Sequence, residues 1–190
     1  MKNYNSGNAL KLEGAFLELL LEMKYSQIKV SHITQKAKVN RTSFYILWSD
    51  KDELLEFICA NFLSTFSDKM FQHFQERDEK KRNKLLQEAF RDITRNENII
   101  RGIWAVTDAP FSPYIKMQEA MEKTVYMSIS VRYPEYKKEN NKILYSKYFS
   151  ACALATIKWW LDNSKERNYE YIADVILVTS AGFIDLLKME

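Results

Sequence analysis

The stretch VSHITQKAKVNRTSFYILWSDKDELL, Val30 to Leu55, decides how the rest of the chain is read. Val30, Ile33 and Ala37 recur at the spacing that gathers side chains on one side of an α-helix, which predicts a short helix over about Ser31–Lys38. Phe44 with Leu47 or Trp48 repeats the spacing and predicts another over about Arg41–Trp48, with Asn40 placed to accept from free N–H groups of its first turn. Asp50 followed three residues later by Glu53 has the form of a capping box, and the helix it opens runs to about Arg77. Two brief helices joined by a polar turn have the proportions of a helix-turn-helix, in which the second helix enters the major groove.

An α-helix fits that groove, and the residues at its leading end reach base edges; here they are Arg41, Thr42 and Ser43. Charge is biased the same way. Residues 1–52 carry eight Lys/Arg against five Asp/Glu, whereas from residue 53 onward the two balance at twenty each. Five basic residues (Lys29, Lys36, Lys38, Arg41, Lys51) stand between Lys29 and Lys51 against one acid, Asp50, a bias suited to phosphates and also compatible with an ordinary solvated face. Lys51 opposes the macrodipole in the first turn of its helix, so it either points into water or meets a phosphate there.

Outward from this segment, apolar residues from Leu10 to Met23 predict a first helix over about Asn8–Lys24, completing a trihelical unit. Four glycines and three prolines in 190 residues leave most of the chain without helix breakers, and helices are predicted near 83–94, 98–107, 114–131, 141–163 and 169–188, with 77–82 either a charged link or in part the extension of a helix. The fold class is therefore all-α, with about nine helices. Cys59 and Cys152 lie in apolar helical patterns without CxxC or metal spacing, which implies a reduced, cytoplasmic protein. Asp174 and Asp185 interrupt the most apolar window, so no membrane span is expected. No nucleophile-base pair, glycine-rich phosphate loop or metal motif is present, and neither an enzyme nor a cofactor is expected.

The segment Tyr145–Leu161 is apolar around most of its circumference, and the next predicted helix shares that character, so both need burial on two sides. Paired with a second chain they would form a four-helix interface, for which the candidates are Ala151, Ala155, Trp159, Ile176, Phe183 and Leu187; a monomer with these helices as central core is the alternative. Aromatic and flexible apolar residues between the two regions, together with His73 and Arg101, are candidates for a ligand pocket: His73, Arg101, Trp104, Tyr114, Met117, Met121 and Phe149. Plain core is the other reading of these residues, and Arg101 is better matched to Glu97 than to a ligand acid.

From Val30 to Leu55 the spacing of Val30, Ile33, Ala37, Val39, Phe44-Tyr45, Trp48 and Lys51 to Leu55 resembles the signature of the TetR family of transcriptional regulators. The Trp159-Trp160-Leu161 ending followed by Asp162-Asn163 is similar to a TetR subgroup found with dihydroxyacetone-kinase activators. The resemblance implies an N-terminal helix-turn-helix domain (1–66) and a helical effector-binding and dimerisation body (67–190). It also implies a homodimer on a double-stranded palindromic operator, an unidentified small-molecule effector, and repression as the default. Lys29, Ser31, Arg41, Thr42, Ser43, Tyr45 and Lys51 would then lie at the DNA, with Tyr45 and Lys51 on phosphates; Tyr45 as a core aromatic is the alternative. Four positions depart from the pattern. Lys38 stands at the turn glycine, a cost of about 1 kcal/mol if the position demands a positive φ; Lys29 stands at a hydroxyl residue, which shifts capping to Ser31, Leu47 at a frequent histidine, which removes one polar DNA contact, and Thr34 at a small residue. Lys38 and Leu47 leave room for a helical adaptor that binds a protein partner instead of specific DNA.

Overall fold

The computed structural model describes residues 3–163, 171–176 and 178, and every regular element among them is helical. In order these are α1 (Gly7–Glu22), a 3-10 turn (Tyr25–Gln27), α2 (Val30–Ala37), α3 (Arg41–Leu47), α4 (Lys51–Gln75), α5 (Glu79–Arg95), α6 (Glu97–Trp104), α7 (Pro113–Arg132) and α8 (Glu139–Asn163). Residues 171–176 and 178 are helical as well, within the last predicted helix, the remainder of which lies outside the described residues.

Local chemistry sets the boundaries. The Ser6 hydroxyl accepts from the Ala9 N–H and starts α1; Asp50 Oδ1 accepts from Asp52 N–H (2.9 Å) and Glu53 N–H (2.8 Å) and starts α4. Glu53 reaches back to the Ser49 N–H (2.6 Å), one residue earlier than a standard capping box. Of the two readings of the charged run, most of it extends a helix: Asp78 Oδ1 accepts from Lys81 N–H (2.9 Å), so 79–82 form the first turn of α5. Pro113 occupies the first position of α7, where its missing N–H costs nothing.

The chain separates into two compact units, one made of the described residues up to Phe62 with Glu97–Lys116, the other of Leu63–Asn96 with the described residues from Met117 onward. Helix α4 contributes to both, and the first unit takes in α6, beyond the first sixty-six residues assigned to it by sequence. In the first unit α1 packs on α2, α3 and α6 through Leu12, Phe16, Leu19 and Leu20. A Cβ on Gly102 of α6 would lie 3.3 Å from the Leu17 carbonyl oxygen, so the approach of α6 to α1 suits glycine. Cys59 is buried, and burial first, then Glu56, pushes its thiol up to about 12, which keeps it protonated and unreactive at neutral pH.

In the second unit one face of α5 (Leu86, Ala89, Phe90, Ile93) and one face of α7 (Met117, Met121, Val125, Ile129) are buried. The Arg132 guanidinium donates to the carbonyls of Phe74 and Glu76, satisfying acceptors left open at the end of α4. Lys69 pairs with Asp92, Gln75 donates to the Ser128 carbonyl (3.1 Å), and Phe74 meets Phe149 edge-on at 5.3 Å.

Candidate nucleic-acid interface

Helix α3 is short, and two features orient it. Phe44, Leu47 and Trp48 are buried to 4% exposure or less, and Asn40 Oδ1 accepts from the Thr42 N–H at 2.9 Å. With that side committed inward, Arg41, Thr42, Tyr45 and Ile46 are left exposed and Ser43 half-buried. Tyr45 packs edge-on against Phe44 at 5.5 Å while remaining exposed.

The turn between α2 and α3 is closed by Lys38 in the left-handed conformation (φ 54°, ψ 42°). Its N–H and that of Val39 both return to the Thr34 carbonyl, the Val39 bond measuring 3.0 Å. The position therefore does demand positive φ, and a residue with a Cβ occupies it. At the other end of α2 the structure corrects the expected cap. Lys29, not Ser31, stands before the first turn, and His32 Nδ1 accepts from the Lys29 N–H at 3.3 Å. Ser31 is half-buried and Lys29 exposed.

The positive charge is less available than its count suggests. Lys36 is bound to Glu22 (2.6 Å) and Glu18 (3.1 Å) of α1. Lys51 neither points into water nor is left to oppose the helix dipole alone: its ammonium donates to the Tyr25 carbonyl (2.6 Å) and lies 4.1 Å from the Tyr25 ring centroid. The Tyr25 hydroxyl in turn donates to Asp52; burial first, then that bond, drives the phenol pKa well above its usual range. Lys29, Lys38 and Arg41 are exposed and enter no ion pair among the described residues.

Two residues of this region escaped the sequence reading. Asp108 Oδ2 accepts from the Ser26 N–H at 3.0 Å, and the Ser26 hydroxyl first, then this N–H, hold its carboxyl below the usual range; 82 positions of separation left no sequence signal. Ile46 is 63% exposed, whereas Leu47, the expected site of a lost polar contact, is buried. Helical geometry carried that signal, since Ile46 lies about 200° around the helix from Phe44.

The arrangement of α1–α4 with the helices that follow has counterparts among solved structures. A protein from Syntrophomonas wolfei str. Goettingen described as a TetR-family transcriptional regulator matches with a TM-score of 0.74 at 16% identity, over 96% of each chain. The chain has the TetR-regulator fold. The dihydroxyacetone kinase operon activator DhaS matches over 96% of this chain and 97% of its own, with a TM-score of 0.63 at 17% identity. A TetR transcriptional regulator from Streptococcus agalactiae 2603V matches over 90% and 92%, with a TM-score of 0.59 at 21% identity. No family model and no curated protein matches the sequence.

Outside this region, the residues considered for a ligand pocket fall in both units. In the first, Arg101 Nε donates to Glu97 (2.6 Å), and Trp104 meets Tyr114 edge-on at 5.4 Å. In the second, His73, Met117, Met121 and Phe149 are buried, and His73 Nδ1–H donates to the Arg82 carbonyl at 2.9 Å. An open groove of about 270 Å³ between α7 and α8 is lined by Glu119, Glu122, Lys123, Tyr126, Ile143, Ser146 and Lys147, none of them among those candidates.

Of the residues considered for the dimer face, Ala151, Ala155 and Trp159 are exposed and share one side of α8 with exposed Leu144 and Tyr148. The opposite side (Phe149, Ala153, Leu154, Ile157, Trp160) is buried. Ile176 is buried within its own chain and presents no free surface to a partner, while Phe183 and Leu187 lie outside the described residues. Among the described residues no helix is long and apolar enough to cross a membrane, and no group of His, Cys, Asp and Glu is placed to hold a metal.

Proposed function

We propose that the chain is a DNA-binding transcription repressor that acts as a homodimer on a palindromic operator and releases it when a small, partly apolar effector binds. The observation that carries this is α3 itself: its apolar side is committed to the core while Arg41, Thr42 and Tyr45 stand exposed, as do Lys29 and Lys38. Such a helix presents base-reading and phosphate-binding groups on a rigid support. Lys51 joins them through the ammonium protons not spent on the Tyr25 carbonyl. The fold, shared with proteins described as TetR regulators, supports the same reading.

The exposed apolar stripe Leu144, Tyr148, Ala151, Ala155 and Trp159 supports a second copy as its cover, since a surface of this kind is costly to leave in water. Residues 1–66 would serve as the DNA-binding domain and 67–190 as the effector and dimerisation body, with His73, Met117, Met121 and Phe149 of the second unit the candidates for contacting effector. A coupling of about 1–3 kcal/mol between effector and operator is the usual scale of such a switch.

The inward commitment of Lys36 and Lys51 favours a second reading, a helical adaptor that binds a protein partner. Selection of duplexes from a random pool separates the two. The regulator recovers a two-fold symmetric motif, and Arg41→Ala weakens binding to it by about 1–3 kcal/mol while relaxing base preference. With Lys29, Lys38, Arg41 and Lys51 from each chain, about eight cations per dimer, log K falls against log salt with a slope of about −7. Recovery of no common motif, with binding indifferent to Arg41→Ala, selects the adaptor.

A further inference from the structure

We propose that Ile46 is a specificity-determining residue that reads one thymine in each operator half-site through its C5-methyl group. The inference rests on the regulator reading above and names a feature of the DNA that this reading leaves open. Isolated exposed apolar side chains are common, so exposure alone decides nothing. Position decides. Ile46 is 63% exposed on α3, four residues after exposed Thr42 and next to exposed Tyr45, while its other neighbour, Leu47, is buried. It therefore belongs to the outward face that carries Arg41 and Thr42, and it stands there with neither donor nor acceptor.

A side chain without polar atoms cannot read the hydrogen-bonding edge of a base pair. The thymine methyl is the apolar group that the major groove exposes, and contact with it distinguishes T from the other three bases. Ile46 is suited to this task because a β-branched side chain in a helix is held near one χ1 rotamer, so its methyl groups are pre-positioned. Charge complementarity supports DNA as the occupant of this face. Lys29, Lys38 and Arg41 are exposed in the same unit and enter no ion pair among the described residues, a setting that suits a polyanion.

The test uses the full-length protein and the duplex it selects from a random pool, with each thymine replaced in turn by deoxyuridine, which removes the C5-methyl and nothing else. One replacement per half-site is expected to weaken wild-type binding about fourfold, the factor associated with burying one methyl-sized group. In Ile46→Ala the same replacement has no effect, whereas helix content and thermal stability stay at wild-type values. The inference is overturned if every deoxyuridine duplex binds the wild-type protein as tightly as its thymine parent, if the selected motif contains no thymine, or if Ile46→Ala keeps the full deoxyuridine penalty. In those cases selection of a motif still upholds the regulator reading. Failure of the wild-type protein to select any duplex defeats both.

Discussion

Replacing Lys38 by glycine stabilises the protein, and the structure sets the size of the gain. Lys38 closes α2 at φ 54° and ψ 42°, where a Cβ crowds the following carbonyl and costs about 1–2 kcal/mol relative to glycine. Glycine gives back about 0.5–1 kcal/mol through the larger entropy of its unfolded chain, so the net gain is about 0.5–1 kcal/mol. The Lys38 side chain is exposed and enters no ion pair among the described residues, so its removal subtracts little. At this chain length the gain corresponds to a rise in Tm of about 1–4 °C. Urea and thermal unfolding followed by circular dichroism measure it, with Lys38→Ala as the control that removes the ammonium yet keeps the Cβ. Lys38→Ala is expected to stay near wild type and Lys38→Asn to fall between, because asparagine tolerates the left-handed region better than most residues. If glycine proves no more stable than alanine, the argument from backbone conformation fails, whatever either variant does to DNA binding.

Three further outcomes follow from other parts of the molecule. Trp159→Glu places a charge on the exposed stripe of α8 and is expected to yield a monomer with unchanged helix content; a dimer persisting at micromolar concentration in sedimentation runs would remove α8 from the interface. His73 is 2% exposed, and burial, more than the nearby Arg82 and Arg132, lowers its pKa below the ordinary 6.5. The unfolded chain therefore binds the extra proton first: stability is complete above pH 6.5 and declines below it, and His73→Gln flattens that decline in urea titrations between pH 7.5 and 5. Identical pH profiles for the two proteins would show that His73 does not drive it. Gly14→Ala, with nothing within 4 Å of the added Cβ, gains up to about 1 kcal/mol of helix propensity, whereas Gly102→Ala forfeits that gain against the Leu17 carbonyl; equal melting shifts would contradict the packing of α6 on α1.

Much of the framework could be read from the chain alone. The caps at Asn40 and Asp50, the inward trio Phe44, Leu47 and Trp48 and the Arg101–Glu97 pair all involve groups within four residues of one another, whose meeting follows from helix geometry. The exposure of Ile46 was equally available from that geometry. Tertiary structure alone decided which cations are free. Lys36 is claimed by glutamates of α1, Lys51 by a carbonyl 26 residues earlier, and Ser26 by Asp108, because a charged or polar group settles on whichever partner the packed helices bring near, and sequence distance does not report that. The division into units is of the same kind. Helix α6 joins α1 across some eighty residues of chain because Gly102 lets their backbones approach, a contact that neither periodicity nor composition encodes.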